Sequence, residues 1–227
     1  TCVINLSGTP FNIVADYQPD EIVNWTYVDE QREKEKWEED HPCDHNPYGG
    51  LPKMNMAIYD LNEVFDNYEA KDGDVQFNFR EFFRVWTGNP AKDGRRMPST
   101  ATIGKFIHEK DVNRFLDLLV KPDERTNYPF STKEYQNIFR HTFWVLPGVA
   151  AAKALSELLK AHEVFGMFDI VNVAGDGDDD SDNEEALDAV NAAIGENPEE
   201  TRTITLSCGR LTAGVSVKAW TAVFMLY

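Results

Sequence analysis

The last third of the chain constrains the fold most, because short apolar runs alternate there with helix-length segments. Four apolar runs predict buried strands, at 143–146, 168–173, 203–207 and 222–226. Pro147-Gly148 turns the first run into a helix that carries Leu155, Leu158 and Leu159. A second helix carries Leu187, Val190 and Ile194, with Asp182 and Glu185 as its expected capping pair and Gly195 at its end. Strands separated by helices imply right-handed crossovers, so the expected fold class is α/β with a parallel sheet.

Residues 17–142 differ in composition, since they are rich in aromatic and charged side chains, and their pattern is mostly helical. We place the main boundary near Thr142. The pattern predicts one helix over 25–39, a second through Phe79, Phe82, Phe83 and Trp86, and a third through Val112, Phe115, Leu116 and Leu119. It also predicts a loop over 41–52 and a strand with Met54, Met56 and Ile58. The capping box Ser131/Glu134 predicts the start of a further, short helix.

The charge and the cysteine content limit which binding partners and which cellular compartment are expected for this chain. The chain has 39 acidic and 22 basic residues, a formal charge of −17, so on average it repels phosphate backbones. Much of the excess lies in one cluster over 176–185, which leaves room for a basic groove elsewhere. No apolar run is long enough to cross a bilayer and no signal peptide is visible, so a membrane is not an expected partner. Three cysteines, odd in number and far apart, fit a reducing cytoplasm.

Three groups of His and Cys or of Asp and Glu side chains are candidate metal sites, and each has a simpler interpretation. His41, Cys43 and His45 alternate along a loop, but a tetrahedral zinc site needs a fourth ligand from elsewhere. The acidic cluster over 176–185 lacks the ligand order of an EF-hand, and a solvated loop is favoured. Asp29-Glu30 is an adjacent acidic pair that fits a helix surface better than a magnesium site.

Two alternative functions follow from residues before position 143. Asp20, Glu69 and Lys71 loosely resemble the acid/acid/lysine pattern of metal-dependent nucleases, a degenerate pattern in a chain this acidic. The second alternative is an acidic protein-interaction module without catalytic activity, whose aromatic side chains dock another subunit, although plain core is favoured for them. The aromatic residues concerned are Trp25, Trp37, Phe82, Phe83 and Trp86.

Two further segments carry a more specific signal. The first is Leu6-Ser7-Gly8-Thr9-Pro10-Phe11, and the second runs over 205–217 with the sequence TLSCGRLTAGVSV, followed by Trp220. A strand that delivers small and hydroxylated residues into a tight turn exposes backbone N–H groups at its carboxyl end. Parallel α/β sheets bind ligands at that end, and such amides suit phosphate.

These segments resemble motifs of superfamily 2 helicases and translocases, the DEAD/DEAH-box-like motors of bacterial type I and type III restriction enzymes. Residues 7–10 resemble the third helicase motif in its Thr-Gly-Thr-Pro variant. Residues 143–147 with their helix resemble the fourth motif, which opens the second RecA-like domain. Residues 209–215 resemble the fifth. The order of the three motifs is preserved across nearly the whole chain.

The resemblance implies a role for each matching residue. Ser7, Gly8, Thr9 and Pro10 would couple ATP hydrolysis to movement between two RecA-like domains. Thr212 would contact the nucleic-acid backbone, with Arg210 as an additional phosphate ligand. Gly214 and Ser216 would lie at the nucleotide, although Ser216 stands where many relatives have Asp.

The resemblance also implies how the chain is organised. Residues 1–16 would end the first RecA-like domain, 17–142 would form a helical insertion or linker, and 143–227 would form the second RecA-like domain, ending before the sixth motif. The parent would use ATP and Mg²⁺ on DNA, alone or with other restriction-modification subunits. Because the Walker motifs and the arginine finger would lie outside the chain, we expect this chain alone to be inactive and to contain no catalytic residue.

Overall fold

The computed structural model describes residues 14–59, 61, 64–65, 68, 77–123, 127–175 and 180–227, with the backbone alone for 180–182. Backbone contacts group the chain into two compact units, 1–59 and 60–227. The segments expected at the third helicase motif and at most of the acidic cluster, 7–10 and 176–179, lie outside the described residues.

The described part of the first unit, residues 14–59, is built around one helix, α1, which spans Tyr27–Asp40. Thr26 caps it: the Thr26 hydroxyl accepts a hydrogen bond from the Asp29 amide, and the Asp29 carboxylate accepts one from the Thr26 amide. Short 3₁₀ turns precede α1, at Val14–Asp16 and Pro19–Glu21, and turns follow it over 41–51. The predicted helix and the loop after it are confirmed.

The predicted strand through Met54, Met56 and Ile58 is wrong. These residues are not part of a strand, and their side chains are 63%, 79% and 87% exposed. Alternating apolar residues form a strand only when a neighbouring strand accepts their backbone hydrogen bonds, and within the described residues no strand pairs with this segment.

The second unit contains six helices and four strands among its described residues. The helices are α2 (Phe79–Phe82), α3 (Pro90–Asp93), α4 (Glu109–Val120), α5 (Lys133–Ile138), α6 (Val149–Ala161) and α7 (Asp180–Ile194). The strands are β1 (His141–Val145), β2 (Asp169–Asn172), β3 (Thr203–Ser207) and β4 (Ala222–Met225), and a 3₁₀ turn spans Phe165–Met167.

The four strands form one sheet in the order β2-β3-β1-β4, and all neighbours are parallel. Every residue of the central strands β1 and β3 is buried, whereas the outer strands β2 and β4 are partly exposed. Parallel strands buried on both faces are typical of α/β folds. The expected α/β class is therefore confirmed, with the helix-flanked parallel sheet expected of a RecA-like domain.

Two helices cover opposite faces of this sheet because the strand residues alternate in direction. Trp144 and Leu206 pack with Leu155 and Leu159 of α6. On the other face, the core contains Phe143 and Val145 of β1 together with three residues of α7, Ala186, Val190 and Ile194.

The aromatic segment after residue 60 shares the α6-side core. Phe82, Phe83, Phe115 and Phe130 are buried in the same hydrophobic cluster as Trp144. For Phe82, Phe83 and Trp86, the interpretation as core is confirmed, because each is at most 6% exposed. The partition into 1–16, 17–142 and 143–227 stays a prediction.

Three predicted helix boundaries are corrected. The helix through Phe79 ends at Phe82, because the backbone that follows forms hydrogen bonds with another segment. The amide of Trp86 donates to the carbonyl of Lys105 at 2.9 Å, and the amide of Ile107 donates to the carbonyl of Arg84 at 2.8 Å. Thr132, not Ser131, caps α5. Helix α7 begins at Asp180, before its expected cap Asp182.

Among the described residues, no helix combines the length and the apolar character that crossing a membrane requires.

Candidate functional site

The strand order creates a crevice at the carboxyl edge of the sheet, between β1 and β3. The connection after β1 leads into α6 on one face. The connection after β3, residues 208–221, lies on the other face, where Leu211, Val215 and Trp220 join the α7-side core. In open α/β sheets, ligands bind where two neighbouring strands send their connections to opposite faces. The topology therefore marks the ends of β1 and β3 as the candidate site.

A cleft of about 710 Å³ opens at this edge. The end of β1 contributes Leu146 and Pro147, the β3 connection contributes Leu211 and Thr212, and Met225 lies at the end of β4. Most of the lining residues are apolar, with a few polar residues among them. This is the usual composition of a small-molecule or cofactor site.

The turn after β3 is held by hydroxyl groups. The Ser207 hydroxyl donates to the carbonyl of Arg210, and the Thr212 hydroxyl donates to the carbonyl of Gly209 at 2.6 Å. Leu211 has a left-handed backbone (φ 60°) although its side chain is buried, and its amide donates to the side-chain oxygen of Asn183 on α7. A bulky residue at positive φ is uncommon and occurs where the surrounding structure imposes it.

Arg210 and Thr212 belong to the same turn but lie on different sides of it. Thr212 is exposed and lines the cleft. Arg210 lies over the backbone of Gly175, which follows β2. A Cβ atom added to Gly175 would come within 2.5 Å of Arg210 Nε, so glycine is needed there for the guanidinium to pack this closely. The structure thus places Arg210 toward β2 and Thr212 toward β1 and β4.

Of the remaining predicted site residues, the structure describes Gly214 and Ser216 but not residues 7–10. Gly214 has φ 75°, a left-handed conformation that explains why glycine occupies this turn. Gly214 and Ser216 are both exposed after β3. Ser7, Gly8, Thr9 and Pro10 lie outside the described residues, so their coupling role stays a prediction.

Two residues of the cleft were not expected from the sequence to act there. Arg80 of α2 lines the cleft, although the segment it belongs to matches no motif. Trp220 also lines it and packs against Phe143, with ring centroids 4.6 Å apart. The buried indole N–H of Trp220 has no acceptor in the described part of the chain. No sequence pattern links Arg80 to the strand ends, because the tertiary fold alone brings them together.

The described residues give the alternative sites no geometric support. Across the described ranges, no three His, Cys, Asp or Glu side chains are grouped so as to hold a metal ion. His41 of the zinc hypothesis stacks on Trp37 instead, at 4.4 Å between ring centroids. For the nuclease hypothesis, Asp20 is exposed in the 3₁₀ turn Pro19–Glu21, while Glu69 and Lys71 lie outside the described residues.

Comparison with known proteins adds one relation. The chain is 29% identical, over 245 aligned positions, to a Mycoplasma pneumoniae protein provisionally named as the C-terminal part of a type II restriction enzyme and methyltransferase. The alignment covers 99% of this chain and 32% of that protein, so the chain spans about a third of its relative's length. No family model matches the sequence, and no solved structure matches it. The chain is therefore related to a protein of restriction-modification systems.

Proposed function

We propose that this chain supplies the second RecA-like domain of an ATP-dependent DNA translocase or helicase that serves a restriction-modification enzyme. The observation that carries the proposal is the cleft at the carboxyl ends of β1 and β3. It is lined by the very segment that resembles the fifth helicase motif. The restriction-modification setting is supported by the relative, whose name describes a restriction enzyme and methyltransferase.

In this proposal the turn after β3 binds phosphate groups. Thr212 is exposed in the cleft, and its hydroxyl would turn from the carbonyl of Gly209 to donate to a phosphate oxygen of the nucleic-acid backbone. Arg210, on the β2 side of the turn, would contribute a guanidinium, which pairs with phosphate through two parallel hydrogen bonds. Gly214 and Ser216 would approach the nucleotide.

Hydrolysis of Mg²⁺-bound ATP supplies the energy in such motors. In this proposal, other parts of the parent protein would hold the ATP and the Mg²⁺. Phosphoryl transfer depends on a lysine, Mg²⁺-binding acids and an arginine finger around the γ-phosphate. We infer that the chain by itself does not hydrolyse ATP and that the full-length protein does.

Two substitutions at one position test the role of Thr212. In the full-length protein, Thr212→Ala should lower DNA-stimulated ATP hydrolysis about ten-fold or more, because a hydrogen bond to a charged phosphate contributes about 1.5–3 kcal/mol. Thr212→Ser keeps the hydroxyl and should retain most of the activity. ATP turnover is measured with and without duplex DNA.

Thr100→Ala is the matched control, since Thr100 is an exposed threonine outside the cleft lining. Equal activity of the alanine variant at position 212 and this control would contradict the proposed role of Thr212.

A further inference from the structure

The cleft contains a cationic side chain that the helicase resemblance does not provide. Arg80 is the one charged residue that lines it in the described part of the chain. It comes from α2, in the aromatic segment that matches no motif, and its side chain is exposed. The fold therefore brings a cation from outside the motif segments to the strand ends where Thr212 lies.

No residue that the structure describes neutralises the guanidinium of Arg80. Within the described ranges no ion pair, side-chain hydrogen bond or ring contact involves it. The adjacent carboxylate, Glu81, is already engaged, because its Oε1 contacts Arg84 Nη2 and His108 Nε2, both at 2.9 Å. In a chain with a formal charge of −17, an unpaired arginine in a cleft creates a local site for an anion.

Helix α2 holds Arg80 in place. The Asn78 side chain caps the helix by accepting from the Glu81 amide at 3.0 Å, and Phe82 is fully buried in the core. Phe82 and Phe83 pack edge to face, with 4.9 Å between centroids. Arg80 precedes Phe82 by two residues, so the two side chains leave the helix on different sides, and Arg80 is exposed where Phe82 is buried. Because the backbone of an anchored helix is already fixed, only the side-chain freedom of Arg80 is lost when it binds a ligand.

We propose that Arg80 binds a phosphate group of the ligand that occupies this cleft. Guanidinium matches phosphate in charge and in hydrogen-bond geometry. The phosphate belongs either to the nucleic-acid backbone or to the nucleotide. The inference rests on the proposed function for the identity of these two ligands, and the experiment distinguishes between them.

The test measures two binding constants on the full-length protein with Arg80→Gln, Arg80→Lys and the control Arg96→Ala. Arg96 is also exposed and lies outside the cleft lining. A fluorescent ATP analogue is titrated without DNA, and a labelled DNA duplex is titrated without nucleotide at several salt concentrations. Arg80→Gln should weaken one of the two affinities about ten-fold, and Arg80→Lys should weaken it less, since the charge remains.

The pattern of the results identifies the phosphate. A loss confined to DNA, with the salt dependence of log Kd reduced by about one, assigns Arg80 to a backbone phosphate. A loss confined to the ATP analogue assigns it to the nucleotide. If Arg80→Gln binds both ligands as tightly as Arg96→Ala does, the inference is overturned. Failure of the motor proposal is distinct, because it would appear as absence of DNA-stimulated ATP hydrolysis in the wild-type protein.

Discussion

Two buried threonines of β3 differ in their hydrogen bonding, although both are fully buried and their side chains point to the same face of the sheet. Thr203 Oγ1 lies 3.0 Å from His141 Nδ1. His141 Nε2 lies 2.8 Å from the carbonyl of Pro198, so Nε2 carries the proton in the neutral ring and Nδ1 accepts from Thr203. The hydroxyl of Thr205, by contrast, has no partner among the described residues.

This difference predicts opposite effects of the same substitution. Thr205→Val removes a buried hydroxyl without a partner and keeps the shape, so it should raise the free energy of unfolding by about 1 kcal/mol. Thr203→Val leaves His141 Nδ1 without its hydrogen-bond donor, so it should lower the free energy of unfolding by about 1–2 kcal/mol. Chemical denaturation of the two variants and the wild type measures both changes. Destabilisation by Thr205→Val equal to that by Thr203→Val would show that Thr205 has a partner.

At the residue scale, the sequence predicts the connection after β3 as a candidate site. Thr212 lines the cleft at the carboxyl edge of the sheet, and Gly214 lies in the same connection after β3, while the roles of both residues stay predictions. Arg80 was not predicted to be there, because its place in the cleft depends on how α2 packs on the core. Such a contact joins residues far apart in sequence and leaves no local pattern.

At the element scale, α3 is joined to the turn before it by one buried carboxylate. Asp93 accepts hydrogen bonds from the amide and hydroxyl of Thr87, at 2.9 and 2.7 Å, and from the Gly88 amide at 3.1 Å. Desolvation by itself would raise the pKa of Asp93. The hydrogen bonds from Thr87 and Gly88 and the charge of Arg84 outweigh it, so the pKa is lowered below its ordinary value.

A lowered pKa has a definite consequence for stability. The carboxylate stabilises the fold at pH values above the ordinary pKa of an aspartate, and this contribution is lost as the pH falls through the lowered pKa. Asp93→Asn should therefore reduce the melting temperature at neutral pH, and the difference from the wild type should shrink in acid. The control Asp188→Asn changes an exposed carboxylate of α7 and should have little effect. A difference at position 93 that is constant with pH would contradict this account.

Whether the sequence predicts an element depends on whether its partners are local. Helices α1, α4 and α6 and all four strands of the sheet lie close to their predicted positions. Each has a strong apolar period or lies in the alternating strand and helix pattern. The segment over 54–58 failed because a strand also needs a neighbour, and the helix through Phe79 stopped early because residues 84–86 bond to 104–107. Neither cause is visible in a local pattern.

At the scale of the whole molecule, the net charge is opposite in sign to the charged residue that lines the cleft. The chain is strongly acidic, with a formal charge of −17, yet the cleft at the sheet edge carries Arg80 and is flanked by a turn that contains Arg210. Under the proposed function, such a chain would bind phosphate locally while repelling it on average, so the proposed DNA binding should depend on the site and not on net charge.

The motor proposal depends on the whole protein, since the relative is about three times as long as this chain. The most direct measurement is therefore ATP hydrolysis by the full-length wild-type protein, with and without duplex DNA, compared with this chain alone. We predict hydrolysis that DNA stimulates in the full-length protein and none in the isolated chain. No hydrolysis by the full-length protein in the presence of DNA, or hydrolysis by the isolated chain, would contradict the proposal.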